Sequence, residues 1–415
     1  MVHPARGMTG HPKPVLLILN QMAGPLTWEF AEDFAKSFGT VALLTGHPDT
    51  LAKGNQGDLF VYPATAYHRG SYSKRVVSWI RYWIQAFVWV WKWPGDVPLL
   101  LFSNPPTLCW LGRLLCLMRG QRYALMVHDI YPDLLVKLGK GTEKNLLIRC
   151  WRLLNRFSYE KAEVVMTLGK HMASTLAKSF DPERTSHGRI ETFYPWADTE
   201  LLKPLPKADN WFAKQHDQLN KLTVMYSGNM GIGHDIETML EVAVELKDKP
   251  NVHFMFIGDG PKWQLVHTVV REKRLSNITV LGWQTEKVVP FSLATADIAF
   301  VSLEEGLAGL AIPSKSFSFL AVGVPLLVIS SENTELSDII SQYKCGWILR
   351  PKDAKTMRSL CETLDEGDDL QRIKAQSREA AQAIGSRRNS VEMGALLASI
   401  LIRPIVSFVA KTGIK

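Results

Sequence analysis

Three glycine-containing turns in the second half of the chain have residue types that suit a phosphate group. The first, YSGNMGIGHD (226–235), ends an apolar strand pattern and leads into the helical pattern IETMLEVAVEL. Such a turn leaves backbone N–H groups and the positive end of a helix facing one point, which favours an anion. The segment has neither the Walker lysine arrangement nor GxGxxG spacing, so an ordinary tight strand-to-helix turn explains it equally well.

The second and third turns follow further apolar patterns. Gly258, Asp259 and Gly260 come after a wholly apolar run, and an ordinary strand-to-helix turn again explains them equally well. In GLAGLAIPSKSFSFLAVGVPLLVIS (306–330), small residues permit close backbone approach, and Ser314 and Lys315 supply a hydroxyl and a cation at a predicted helix start. We expect Lys315 to contact a diphosphate; the alternative is an exposed lysine at a helix start.

The elements that must position these turns are short apolar runs separated by helical patterns, which is typical of a parallel α/β sheet. Six runs lie in each half of the chain: 15–19, 41–45, 59–62, 98–102, 123–128 and 163–168, then 222–228, 252–258, 278–282, 298–303, 325–330 and 346–350. We therefore predict two Rossmann-like domains with parallel sheets, residues 1–200 and 201–390. A helical tail, 391–415, is expected to dock back on the N-terminal domain.

Positive charge is concentrated in the N-terminal half. The net charge is +8, and the stretch from Lys53 to Arg156 holds 15 basic against 5 acidic side chains together with five tryptophans between Trp79 and Trp93. A basic, aromatic surface predicts contact with an anionic membrane. No nucleic-acid module is present, so nucleic acid is not an expected partner. The apolar stretch 76–93 is short for a bilayer span, and a buried crossover helix and a helix resting on a membrane both remain open.

Cysteine use and the N-terminus favour a cytoplasmic protein. The five cysteines form no CxxC pair, which predicts neither a disulfide framework nor a zinc site, and no Asp-x-Asp metal motif occurs. The N-terminal segment does not have the pattern of a secretory signal. We therefore expect no metal and no cofactor, and a peripheral location on the inner face of the cell membrane.

Together the motifs occur in an order that resembles glycosyltransferase family 4 of the GT-B fold, in particular its bacterial surface-polysaccharide branch. The order is SGN, IGDGP, LGW, ADIAFV and PSKSFSFLAVGVPLL, and the resemblance extends to NQMAGPLTWEFAEDFAKSFG (20–39), VHDIYPD (127–133) and FYPWADTELLKP (193–204). It covers most of the chain, and the shared order is its specific part.

The resemblance implies roles for particular residues. The donor diphosphate would lie on Gly228 and Asn229 and on the loop from Gly309 to Ile312, and His128 would face the donor sugar. His128 and Asp129 follow a predicted strand, and ligands of open α/β sheets collect at that edge. The implied catalytic residues are His128, Asp129 and Lys315. The implied donor-binding residues are Gly24, Gly228, Asn229, His234, Gly258, Gly260, Trp283, Gly309, Leu310, Ala311, Ile312, Ser314, Lys315 and Ser318.

The chain departs from the family pattern at several of these positions. Two glutamates that many members carry align with Leu310 and Ser318, and an Arg and a Lys often used on the diphosphate align with Asn229 and His234. Lys315 is then the obvious remaining cation. Two acidic residues that could contact sugar hydroxyls, or form a solvated loop, are Glu304 and Glu305.

The implied activity is a retaining transfer of a hexosyl or N-acetylhexosaminyl group from a nucleotide sugar, with a UDP-sugar favoured, to a lipid-linked or other glycan acceptor. Two alternatives remain open, and the missing glutamates favour the second of them. One is a nucleotide-sugar epimerase of the same fold, and the other is a non-catalytic partner subunit.

Overall fold

A computed structural model describes residues 12–68, 72–302, 306–330, 334–364 and 367–402. Within these ranges the chain forms two parallel sheets covered by helices. The N-terminal strands are β1 Leu16–Leu19, β2 Val41–Thr45, β3 Leu59–Pro63, β4 Leu99–Phe102, β5 Tyr123–Val127, β6 Val165–Thr167 and β7 Ile190–Thr192. The helices between and after them are α1 Pro25–Phe38, α2 Pro48–Lys53, α3 Tyr72–Trp91, α4 Leu108–Arg119, α5 Asp133–Lys137, α6 Leu146–Tyr159 and α7 Lys170–Ala177.

The first sheet has the order β3-β2-β1-β4-β5-β6-β7, and every neighbouring pair is parallel. Its central strands are uninterrupted apolar runs such as LLIL in β1, which is buried along its whole length. Strands of that composition form where helices cover both faces of a sheet. The sequence analysis missed β7, whose residues IET at the edge of the sheet are only partly buried.

The second sheet follows the same plan. Its strands are β8 Leu222–Asn229, β9 Val252–Asp259, β10 Ile278–Leu281, β11 Ile298–Ser302, β12 Leu326–Ile329 and β13 Gly346–Leu349, in the order β10-β9-β8-β11-β12-β13. Its helices are α8 Trp211–Gln215, α9 Glu237–Glu245, α10 Trp263–Lys273, α11 Val289–Leu293, α12 Lys315–Ala321, α13 Glu335–Tyr343, α14 Ala354–Thr363 and α15 Asp368–Ile384, followed by α16 Arg388–Leu401.

Loops at the carboxyl ends of the two sheets meet. An antiparallel bridge joins Asp129, just after β5, to Ala311, in the loop before α12. The backbone N–H of Ile130 donates to the carbonyl of Leu310 at 3.0 Å. In both sheets the strand order reverses next to the first strand of the set, and a reversal of this kind opens a crevice at the carboxyl edge where ligands bind.

The last two helices connect the sheets. Helix α15 packs on α12 and holds the segment after β7, because Arg378 donates to the carbonyls of Leu202 and Thr199, each at 2.7 Å. Helix α16 packs on α1. Residues 403–415 of the predicted tail lie outside the described ranges, and the domain bounds 200 and 390 stay predictions.

Helix α3 contains most of the apolar stretch 76–93, for which the sequence left a buried helix and a membrane-resting helix open. One side of it, including Tyr82, Ala86 and Val90, is fully buried against the first sheet, whereas Ile80 and Ile84 on the other side are exposed. The helix is therefore a crossover helix with one buried face. Among the residues that the structure describes, no helix is both long and apolar enough to cross a membrane.

Candidate functional site

A cleft of about 460 Å³ lies where the carboxyl edges of the two sheets face each other. It is lined from the N-terminal side by the first loop, the loops after β4 and β5, and the start of α1, and from the C-terminal side by the start of α12. The predicted site residues that line it are Gly24, His128, Asp129, Ser314, Lys315 and Ser318. Residues that the sequence separates by almost three hundred positions thus meet in one space.

His128 and Asp129 lie directly after β5, half-buried in the cleft wall. Ser103, after β4, fixes the turn, because its Oγ accepts from the backbone N–H of His128 at 2.9 Å. Removal from water lowers the pKa of His128 to about 4 and raises the pKa of Asp129 to about 6. At neutral pH the cleft therefore presents a neutral imidazole, which can donate or accept one hydrogen bond, beside a carboxylate that binds a proton readily.

Lys315 reaches the same cleft from the other sheet. It is the first residue of α12, and desolvation lowers its pKa. Within the described ranges it makes no ion pair. A partly desolvated cation with no protein counter-ion favours an anionic ligand. Ser314 is exposed at the start of the helix, and Ser318 lies one turn further on.

The loop that precedes α12 is held by the N-terminal domain. Gly309 has φ +69°, and a Cβ at this position would lie 2.7 Å from Thr175 Oγ1 and 3.2 Å from the carbonyl of His171. Leu310 is buried, and Gly309, Ala311 and Ile312 line a small pocket together with Glu335. This loop follows 303–305, so Glu304 and Glu305 lie outside the described residues.

The predicted residues at the carboxyl ends of β8 and β9 form a second group that does not line the cleft. Gly228 pairs with Gly258 and Asn229 with Asp259 in the parallel ladder. Gly258 has φ +141°, and a Cβ there would overlap the carbonyl of Gly228. The close packing of these two segments thus gives a structural reason for glycine at 258, and the same holds for Gly260, where a Cβ would lie 2.7 Å from the carbonyl of Met230. The group touches the loop before α12 where Gly233 faces Leu307.

Two further predicted donor residues have protein contacts of their own. The ring of His234 lies 3.3 Å from the Tyr226 hydroxyl, measured at Nδ1, and its carbonyl accepts from Lys262 Nζ at 2.7 Å. Trp283 is 47% exposed and lies outside the cleft lining. At the start of α9 the Asp235 carboxylate accepts from the backbone N–H of Thr238 at 2.9 Å, so that helix start already holds an acidic group.

Several polar residues of the cleft, among them Glu29, Lys53 and Glu286, were not predicted from the sequence. Glu29, on α1, accepts from Trp196 Nε1 at 2.8 Å, and burial raises its pKa. Lys53 on the N-terminal side pairs with Glu286 on the C-terminal side at 3.1 Å. Gly24 and Pro25 mark the start of α1 in the sequence, and this start was the feature from which a site position for Glu29 could have been predicted. No sequence pattern near Lys53 or Glu286 predicts that these two residues pair.

Within the ranges that the structure covers, no group of three or more His, Cys, Asp or Glu side chains is arranged to hold a metal ion.

The C-terminal sheet matches a known family. Residues 221–365, from the start of β8 to the end of α14, match the family model described as glycosyl transferases group 1. The match includes the SGN, IGDGP and PSK segments.

Two curated relatives span most of the chain. A Pseudomonas aeruginosa protein named as the glycosyltransferase WbjE is 29% identical over 313 residues, which are 75% of this chain and 76% of the relative. WcaI of Escherichia coli (strain K12), named as a colanic acid biosynthesis glycosyl transferase, is 25% identical over 261 residues, which are 61% of each protein.

Solved structures share the arrangement of both sheets. The Anabaena protein HepE, solved with UDP and glucose, superposes with a TM-score of 0.70 at 14% identity, covering 92% of this chain and 99% of HepE. WaaG, described as a glycosyltransferase of lipopolysaccharide biosynthesis, gives a TM-score of 0.67 at 13% identity, with coverage of 92% and 99%. At this level of identity the likeness concerns the fold.

Proposed function

We propose that this chain, whose residues 221–365 match the group 1 glycosyltransferase model within a GT-B fold, transfers a sugar from a UDP-sugar to a lipid-linked acceptor with retention of configuration. One observation carries the proposal. His128 and Asp129 from the N-terminal sheet and Lys315 from the C-terminal sheet line one cleft, so both domains contribute polar groups to a single reaction space.

The donor half of the site is proposed to lie on the C-terminal sheet. Lys315 and the backbone N–H groups of the loop before α12 would neutralise the diphosphate, with the turns after β8 and β9 beside them. HepE, which shares the fold, has been solved with UDP and with UDP-glucose, and this supports the choice of a UDP-sugar. No metal or cofactor is required in this scheme, because a cation and oriented amides stabilise the leaving diphosphate.

The transfer step is proposed to occur on one face of the sugar. The bond between the anomeric carbon and the donor phosphate oxygen breaks, and the acceptor oxygen bonds to the same carbon from the same side. The acceptor proton passes to an oxygen of the departing phosphate. His128, neutral above pH 4, would hold a sugar hydroxyl, and Lys315 would stabilise the negative charge that develops on the diphosphate.

Relatives support a role in polysaccharide or glycoconjugate biosynthesis. The name of WcaI refers to colanic acid, and the description of WaaG refers to lipopolysaccharide. The proposed acceptor is lipid-linked, and the proposed site of the reaction is therefore the inner face of the cell membrane.

A thermal-shift screen with UDP-, GDP-, ADP- and dTDP-sugars tests the donor. At a hundred times its dissociation constant, a UDP-sugar should stabilise the folded protein by about 2.7 kcal/mol. Failure of every nucleotide sugar to raise the melting temperature would reject the proposal. Binding without release of UDP in the presence of lipid-linked acceptors would instead assign the chain to the non-catalytic partner subunits.

A further inference from the structure

Three helices on one side of the N-terminal sheet expose an unusual number of apolar side chains. Helices α3, α4 and α6 follow the consecutive strands β3, β4 and β5 and pack side by side. Of the nineteen large hydrophobic side chains that are exposed in the described ranges, twelve belong to these helices. They are Val77, Ile80, Ile84, Val88, Trp91, Leu117, Met118, Leu146, Leu147, Leu153, Leu154 and Phe157.

On α3 the exposed residues form one stripe. Val77, Ile80, Ile84 and Val88 are 46–54% exposed and recur every three or four positions, so they lie on one face of the helix. The opposite face, with Tyr82 and Ala86, is buried against the sheet. Packing of the domain core therefore does not account for the stripe, because the core uses the other face.

The tryptophans of this region, which the sequence placed at a membrane surface, differ in exposure. Trp89 and Trp93 are buried, whereas Trp91 is 46% exposed. The guanidinium of Arg119, on α4, lies 5.2 Å from the centre of the Trp91 ring. Most of the predicted tryptophan cluster thus belongs to the core or its margin, and aliphatic side chains dominate the exposed stripe.

The same pattern continues on α6. Leu146 and Leu147 at its start are 70% and 76% exposed, and Leu153 and Phe157 are about half exposed. Contact with α4 is made from the other side of the helix, where Trp110 Nε1 donates to Asn155 at 2.8 Å. Helices α3 and α6 thus turn apolar side chains to the solvent, whereas polar contacts such as those of Tyr82 and Asn155 lie on their buried faces.

Charge distinguishes this face from an ordinary apolar patch. The sequences of α3, α4 and α6 contain eight arginine or lysine residues and no aspartate or glutamate. Apolar side chains flanked by cations are the composition of surfaces that lie in the headgroup region of anionic membranes. Two of these cations, Arg152 and Arg156, pair with Asp133 and Glu160, which lie outside α6. A two-fold contact between copies of this chain would set the remaining cations against one another, because these helices carry no acidic residue.

We propose that the outer surface of α3, α4 and α6, the three-helix face, is a docking surface for an anionic phospholipid bilayer. Helices α3 and α4 follow the carboxyl ends of β3 and β4, at the sheet edge that holds the cleft, and α6 follows β5 and the short helix α5. The twenty residues of α3 extend about 30 Å from that edge. A bilayer seated here reaches the cleft edge, where a lipid-linked acceptor of the proposed function would enter.

The decisive experiment is vesicle sedimentation of the full chain with a matched pair of variants. Ile84→Glu combined with Leu147→Glu changes two of the three helices. The control, Val391→Glu on α16 combined with Leu265→Glu on α10, adds the same charge at two exposed side chains, 52% and 37% exposed, that lie outside the face. Vesicles of phosphatidylcholine alone are compared with vesicles containing 30% phosphatidylglycerol, at low and high salt.

We expect the unaltered protein and the control variant to sediment with the anionic vesicles, less so as salt screens the charges. The variant with Ile84→Glu and Leu147→Glu should lose at least tenfold in partitioning. Equal sedimentation of all three proteins would overturn the proposal, as would a protein that ignores both vesicle types. A solution dimer that dissociates on Ile84→Glu would also overturn it and assign the face to a second copy. UDP-sugar thermal shifts on the same samples report folding and donor binding separately, so a failed donor is distinguishable from a failed membrane face.

Discussion

Burial favours the uncharged form of both residues that follow β5. His128 with a pKa of about 4 is neutral across the physiological range, so its protonation should not limit activity between pH 5 and 8. Asp129 with a pKa of about 6 is ionised at pH 7 in surroundings that disfavour the charge.

We predict that Asp129→Asn stabilises the folded protein. Above pH 6 the folded state holds an ionised, desolvated carboxylate, and the amide relieves a penalty on the order of 1–3 kcal/mol. As pH falls through about 6 the folded state takes up a proton that the unfolded chain takes up only near 3.8, so the advantage of the variant shrinks and is lost by pH 4. Urea unfolding at pH 7.5 and pH 4 measures both ends, and an equal effect at the two pH values would contradict the assignment.

Lys315 is predicted to be the main cation of the donor site. Lys315→Ala should lower kcat/KM for the nucleotide sugar by about 10²–10³-fold, the size seen when one donor to a developing negative charge is removed. Steady-state rates of UDP release measure the loss.

The matched control for this change has to be a lysine without a structural role. Lys374 appears suitable in the sequence, but its Nζ lies 2.8 Å from the buried carboxylate of Asp297, which Lys207 also contacts. Lys355, exposed on α14, is the better choice. Similar losses of kcat/KM from Lys315→Ala and Lys355→Ala would remove Lys315 from the site.

At the scale of the elements, the strands could be predicted because short apolar runs between helical patterns leave few alternatives. All twelve predicted runs are strands, within one or two residues at their ends. Edge strand β7 escaped detection, since its residues Ile190–Thr192 lack an apolar run. For α3 the sequence shows apolar residues all around the helix, and only packing on the sheet separates its buried and exposed faces.

Loop glycines give a prediction at the same scale. Gly309→Ala should weaken the loop before α12, because a Cβ in this left-handed backbone would press on Thr175 and His171. Gly120, with φ +66° and no atom within 4 Å of an added Cβ, is a control with the same backbone strain and no clash. Both changes should cost about 1 kcal/mol of unfolding free energy from the backbone alone.

Comparison of the donor KM of Gly309→Ala with that of Gly120→Ala isolates the effect of the contact with Thr175 and His171. Only Gly309→Ala should raise the donor KM, by about tenfold or more, since the loop then shifts relative to Lys315. A donor KM that is equal in both variants would show that the loop has no part in donor binding.

At the scale of the whole molecule, the cleft depends on contacts that no local pattern predicts. Lys53 and Glu286 pair across it, and His171 on α7 lies 2.6 Å from Asp338 on α13. The partners in each pair are more than 160 positions apart. Sequence reasoning identified the turns and the strand end that carry His128 and Lys315, but it could not identify partners that only the packing of two domains brings together.

Helix α16 makes a further long-range contact, with α1, through Arg387. Arg387, at the start of α16, donates to Glu32 at 2.6 Å and to Asp33 at 2.7 Å on α1, and these carboxylates raise its pKa. Arg387→Ala should lower the unfolding free energy by about 2–3 kcal/mol, because two partly buried carboxylates lose their cation. The adjacent Arg388 is 81% exposed and pairs with Glu392 in its own helix, so the same change there should lower the unfolding free energy by no more than about 0.5 kcal/mol. Urea unfolding of the two variants side by side decides the matter, and similar losses would mean that packing of α16 on α1, without the ion pairs, joins the chain end to the first domain.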